Sequence, residues 1–304
     1  MALGRMSVSS FALWRDRKGR LSGLRSLTLA VLVWPVALAS LDGARGALGG
    51  RPVNELIHRS GWWALVFLLV SLAVTPLRRS ARFGRLVDVR RMIGVAAFLY
   101  AALHLVLYVA DEKFDLVKVA TEIVSRTYLT IGALALLGLA VLGVTSTDTM
   151  VKRMGGLRWR RLHQLAYVIT LLALVHFFQQ TKADVTVPTL YAGLFAWLMG
   201  YRLLAGWRGE GALTPPWLVV LAVAVGLGTV AAEAVGISLA FSVPVFAFLA
   251  TAFDLEVGLR PGWSVLGAGL AVAALDAVRG WTASRPAQVV PRTASSGPAV
   301  PAAR

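Results

Sequence analysis

Apolar and polar positions alternate along this chain in long blocks. Stretches of roughly 17–20 residues, nearly free of charge, are separated by short basic segments, and such a stretch is what a helix needs to cross a ~30 Å hydrocarbon layer. The blocks run over Leu27–Ala44, Gly61–Leu77, Met92–Ala110, Leu129–Thr147, Leu162–Phe178 and Pro188–Ala205. They predict six spanning helices. A Gly/Pro break at Gly206–Pro216 then leads into two or three more apolar segments, near Trp217–Gly236, Ile237–Phe253 and Trp263–Gly280. The expected fold is all-α, a polytopic transmembrane helix bundle. Its parts are a basic N-terminus over 1–26, a six-helix core over 27–205, extra membrane segments of unassigned role over 206–283, and a Pro-, Ala- and Ser-rich tail over 284–304 expected to be disordered. Ala37-Leu38-Ala39 resembles a signal-peptide cleavage site, but the long basic segment before it and the membrane blocks after it predict a retained first helix. No internal repeat stands out.

Charge turns this pattern into an orientation. Arg5, Arg15, Arg17, Lys18, Arg20 and Arg25 precede the first block. On the same side fall Arg78, Arg79, Arg82, Arg85, Arg90 and Arg91, then Lys152, Arg153, Arg158, Arg160 and Arg161. The opposite loops hold fewer: Arg45, Arg51, Arg59, Lys113, Lys118, Arg126 and Lys182. Positive charge gathers on the cytoplasmic face, so the N-terminus is expected in the cytoplasm. The net charge of +16 is thus explained by topology and contact with membrane lipid. A nucleic-acid partner is not expected, because no basic face with interleaved aromatics and no zinc-ligand spacing is present. The chain has no cysteine, which excludes disulfides, thiolate-held iron–sulfur clusters and covalently attached c-type haem.

Chemistry is left to four histidines: His58, His104, His163 and His176. An ionisable side chain at membrane depth is costly and faces a bundle interior. Counting from Met92, His104 lies about 18 Å along the third span, and His176 lies about 21 Å along the fifth from Leu162. The two therefore sit at nearly equal depth in the outer half of the membrane, where two imidazoles can clamp a haem iron from both faces. His163 is at the cytoplasmic end of the fifth span, roughly 20 Å from His176 and about 140° away around an ideal helix. For His163 two roles stay open: haem ligand, or interfacial residue binding a headgroup, a quinone or a loop carbonyl. His58, in the loop before the second span, is expected to be structural. Tyr100 and Tyr108 share the face of His104, and Tyr167 that of His163, with ordinary packing and satisfied hydroxyls the expected role. The basic loop Arg78–Arg91 suits a flavin phosphate, a quinone or anionic lipid. Walker, H-E-x-x-H and G-x-S-x-G motifs are absent. A membrane electron carrier is the leading expectation, against a transporter or membrane anchor whose buried histidines relay protons or pack.

Several motifs carry a family resemblance. Thr75-Pro76-Leu77-Arg78-Arg79, then Arg90-Arg91-Met92-Ile93-Gly94, then Tyr100, His104 and Tyr108 resemble the MsrQ (YedZ) family, haem-binding membrane subunits of the periplasmic methionine sulfoxide reductase system. Trp159-Arg160-Arg161-Leu162-His163-Gln164-Leu165-Ala166-Tyr167, ending at His176, resembles that family's second signature. The resemblance spans about residues 26–205 and extends to the ferric-reductase-like transmembrane superfamily. It implies an inner-membrane protein with b-type haem and an FMN cofactor. It further implies electrons drawn from the quinone pool and passed to MsrP, a periplasmic molybdopterin reductase. It also implies haem-iron ligation by His104, His163 and His176. One haem is expected. A second is left open, because the third span carries a single histidine where the superfamily often has two. Direct reduction of ferric or other metal ions is the alternative that shares this chemistry.

Overall fold

A computed structural model of the chain describes Trp14 and residues 20–181, 184–251 and 258–284. Among these residues every regular element is helical: α1 (Gly23–Ala44), α2 (Pro52–Ser80), α3 (Val87–Asp111), α4 (Leu116–Ser125), α5 (Thr127–Val144), α6 (Asp148–Met154), α7 (Gly156–His163), α8 (Leu165–Gln180), α9 (Thr186–Arg208), α10 (Pro215–Phe241), α11 (Val245–Thr251) and α12 (Pro261–Ser284). Seven stretches are long and apolar enough to cross a membrane: Gly23–Ala44, Pro52–Ser80, Gly84–Asp111, Thr127–Val144, Gly156–Gln180, Pro215–Phe241 and Pro261–Thr282. The chain is an all-α, polytopic membrane protein.

Several boundaries differ from those the hydrophobic pattern predicts. The second span begins at Pro52, not Gly61. Proline is favoured in the first turn of a helix, where its missing N–H costs nothing, and Glu55 lies in that turn. Arg59 then holds Glu55 at 2.8 Å and Asp42, at the end of α1, at 2.5 Å. His58 consequently lies on an exposed helical turn and not in a loop. The fifth span is two helices, α7 and α8, separated at Gln164. The loop after His104 contains α4, whose first turn is capped by Asp115 accepting the Lys118 backbone N–H at 2.9 Å.

Downstream, α10 runs straight through the segment boundary expected between Gly236 and Ile237. It ends at Ser242, a left-handed residue with φ 55°, so among the described residues Ile237–Thr251 is not a third extra span but the end of α10 and the seven-residue α11. The sixth predicted span is present as α9, 23 residues long but less apolar than the seven. Its Arg202 stays inside the bundle by donating to the carbonyls of Leu198 (2.7 Å) and Leu72 (2.6 Å). Lys182, most of the 1–26 segment and the tail beyond Ser284 lie outside the described residues.

Two apolar clusters hold the bundle. One joins α1, α2, α3, α5 and α8 through residues such as Leu68, Ala97, Leu139 and Ile169. The other joins α2, α8, α9, α10 and α12 through Leu72, Leu174, Trp197, Leu218 and Val265. The C-terminal helices therefore pack on the same body as the core. The outer surface keeps its apolar residues, with Leu27, Val31, Trp34, Leu137, Val220 and Leu239 all exposed, as expected where hydrocarbon replaces water.

Candidate functional site

His104, on α3, and His176, on α8, meet in the bundle with ring centroids 6.2 Å apart and planes at 84°. Each ring is held the same way. The Nδ1 of His104 lies 2.7 Å from the carbonyl oxygen of Ile57 on α2, and that of His176 lies 2.7 Å from the carbonyl of Tyr128 on α5. A carbonyl only accepts, so in each ring Nδ1 carries the proton and donates, leaving the Nε2 lone pair for a metal. Tyr128 also stacks its own ring on His176, with centroids 6.1 Å apart.

Both approaches depend on a glycine one turn after the accepting carbonyl. A Cβ at Gly61 would lie 2.9 Å from the His104 Nδ1, and one at Gly132 would lie 2.8 Å from the His176 Nδ1. The two hydrogen bonds close loops of nearly equal length, 47 and 48 residues. The pair α2–α3 and the pair α5–α8 thus repeat one construction, carbonyl, glycine one turn on, and histidine on the second helix. Nothing in the amino-acid pattern announces this repeat.

The separation suits one metal ion. Two imidazoles each bound through nitrogen at about 2.0–2.1 Å, with each ring centre about 1.1 Å further back, stand roughly 6.3 Å apart. The donor set fits as well: two neutral imidazoles with fixed tautomers, half-buried among apolar helices, are the usual axial ligands of an electron-transfer haem.

His163 belongs to a different setting. It is the last residue of α7, and the break at Gln164 separates it from the helix carrying His176. Its Nδ1 lies 3.1 Å from the Trp159 carbonyl, and its Nε2 lies 3.3 Å from the Ser146 hydroxyl. The Trp159 indole stacks on it at 3.9 Å and donates its own N–H to the Thr145 carbonyl at 2.9 Å. The nearby charges are those of Arg90 and Arg91. Both ring nitrogens already have partners, and no second histidine faces this one.

The tyrosines bond the protein. Tyr100 donates to the Leu32 carbonyl at 2.8 Å, tying α1 to α3, and Tyr108 donates to Glu122 of α4 at 2.5 Å. Tyr167 lies under the guanidinium of Arg202. At the mouth of the site, Arg126 donates to the Tyr128 hydroxyl (3.4 Å) and to Glu122 (3.2 Å), and both partners raise its pKa, the tyrosine more. Sequence reasoning missed Gly61, Gly132 and the carbonyls of Ile57 and Tyr128. The one available signal was a glycine inside an apolar helix, which often marks close approach of another group.

The family described as ferric reductase like transmembrane component matches residues 60–174, a range that includes His104 and His163 and stops two residues short of His176. The protein-methionine-sulfoxide reductase heme-binding subunit MsrQ of Caulobacter vibrioides is 40% identical over 205 residues, covering 66% of this chain and 98% of that protein. The MsrQ of Rhodospirillum rubrum is 41% identical over 198 residues, covering 64% and 91%. That of Xanthomonas euvesicatoria is 41% identical over 186 residues, covering 59% and 85%. No solved structure matches.

Proposed function

The chain belongs to the MsrQ family of heme-binding subunits, and from that premise we propose that it holds one b-type haem between His104 and His176 and passes electrons through it. The observation carrying this is the facing imidazole pair, each ring pinned by Nδ1 to a backbone carbonyl. When bound, haem would supply a one-electron couple, and ligation by both His104 and His176 would leave no position for oxygen.

The protein's own groups prepare that site. The Ile57 and Tyr128 carbonyls fix tautomer and ring direction, leaving each Nε2 free. Gly61 and Gly132 give the rings room to reach those carbonyls. His163, with both nitrogens occupied by Trp159 and Ser146, is proposed as an interfacial structural residue and not as a ligand of a second haem. Nothing in this scheme calls on FMN.

The basic loops support a direction. Ile57 and Tyr128 lie near the starts of α2 and α5, and His104 and His176 near the ends of α3 and α8, so all four share one end of the bundle. With the N-terminus in the cytoplasm, as the basic loops argue, that end is the periplasmic half of the inner membrane. The proposed donor is the quinone pool, and the proposed acceptor is a periplasmic molybdopterin reductase like MsrP that repairs oxidised methionine. The purified protein should show a Soret band that shifts on reduction and returns when the periplasmic reductase and methionine sulfoxide are added. A colourless protein would refute the reading. A reduced band that returns with ferric chelate but not with the reductase would favour metal reduction instead.

A further inference from the structure

The opposite end of α2 from the histidine site carries a second construction. Helix α2 finishes in a turn in which Phe83 N–H bonds the Arg78 carbonyl (3.0 Å) and Arg82 N–H bonds the Arg79 carbonyl (2.9 Å). Such a turn places one residue in the left-handed region, and that residue is ordinarily glycine. Here it is Arg82, with φ 50°. An L side chain is strained there, and strain kept in place of the easy residue points to a use for the side chain.

That side chain helps to line a pocket of about 660 Å³ between the end of α2, the start of α10 and the end of α12. Arg79, Thr214, Asp276 and Trp281 line it too. Arg79 donates one amino group to the Leu213 carbonyl at 3.2 Å, while its Nη1 is buried with no hydrogen-bond partner. The Arg82 guanidinium reaches α12, its Nη2 3.6 Å from where a Cβ of Gly280 would sit. Two guanidiniums against the single Asp276 carboxylate leave the pocket net positive, with one buried donor unsatisfied. Both features call for an anion with oxygen acceptors, and a phosphate meets guanidinium geometry well.

We infer that this pocket binds the phosphate headgroup of an anionic phospholipid, which staples α2 to the C-terminal helices. The pocket lies at the ends of spanning helices, at the level where headgroups are found, and on the side the basic loops mark as cytoplasmic. Val278 and Trp281 on α12 are exposed beside it, an apolar flank and an interfacial aromatic where acyl chains would run.

The test uses the full chain, delipidated in detergent, with lipid retention read by native mass spectrometry and unfolding read by thermal melts. Cardiolipin or phosphatidylglycerol should be retained at one molecule per chain and raise the melting midpoint, while phosphatidylcholine does neither. Arg82→Gly should melt no lower than the parent without lipid, because it relieves the left-handed strain, yet bind the anionic lipid about tenfold more weakly. Arg79→Gln should also lose the lipid-dependent rise; if it does not fold, Arg82→Gly decides alone. Equal effects of anionic and zwitterionic lipid would overturn the inference, as would an Arg82→Gly protein that keeps the full rise. Displacement of the lipid by inorganic phosphate or FMN would overturn it too, assigning the pocket to a soluble phosphate compound.

Discussion

His163 and the pair His104/His176 sit at opposite ends of the bundle, and their nitrogens have different company. In the pair, each ring donates its Nδ1–H to a carbonyl of a neighbouring helix, and the two ring centres lie 6.2 Å apart. At His163 both nitrogens contact groups nearby in the chain, and a tryptophan covers one face. Residue type is the same at both ends. Capacity to ligate depends on what is left over once the protein's own hydrogen bonds are made, and on whether a second donor stands across the gap.

The sharpest break of this contrast is removal of one member of the pair. His104→Ala or His176→Ala should each abolish most of the Soret absorbance per chain, since a haem held by one axial ligand is bound far more weakly. Retention of a full low-spin spectrum in either variant would sink the pairing. Next come the glycines. Gly61→Ala or Gly132→Ala keeps both histidines but puts a methyl within 3 Å of the Nδ1 nitrogen. Loss of that orienting bond should weaken haem binding on the order of tenfold, measured by haem titration of the apoprotein. An unchanged affinity would mean the rings do not need those carbonyls.

His163→Ala should leave haem content and spectrum unchanged and lower stability by about 1 kcal/mol through its lost hydrogen bonds. A variant that loses a distinct part of the absorbance would instead reveal a second haem at that end. The smallest effect concerns the outer loop. Asp111→Lys with Glu112→Lys should slow reduction of the proposed periplasmic partner a few-fold at low salt, and the difference should fade as salt rises. Asp115 is left intact because it caps α4. Glu112 also holds Lys118 at 2.5 Å and is the chief cause of that lysine's raised pKa, so Asp111→Lys alone serves as the control that leaves this pair untouched. Identical rates at all ionic strengths would place docking elsewhere.

What was legible in the sequence follows physical constraints that act along the chain. Apolar runs had to match the membrane's thickness, and a fixed rise per residue puts His104 and His176 at one level before any contact is known. What was hidden depends on contacts between segments. The carbonyls of Ile57 and Tyr128 leave no mark in residue type, and Gly61 and Gly132 acquire meaning only once an imidazole lies against them. The break at Gln164 lacks the Gly or Pro that would have signalled it. Pro52 starts the first turn of α2 ahead of the apolar run that begins at Gly61, and Gly236, where one apolar segment was expected to end, lies inside α10. The short α4 was lost in a segment whose charges suggested only a loop.

The central claim is that one haem sits between His104 and His176, and electron paramagnetic resonance of the oxidised, purified protein with a haem assay per chain tests it directly. Were both rings to ligate one iron at 84° to each other, they would donate to different d orbitals and leave those orbitals nearly degenerate. The account therefore predicts one haem per chain with a low-spin signal of unusually large anisotropy. A high-spin signal, two haems per chain, or no haem would contradict it.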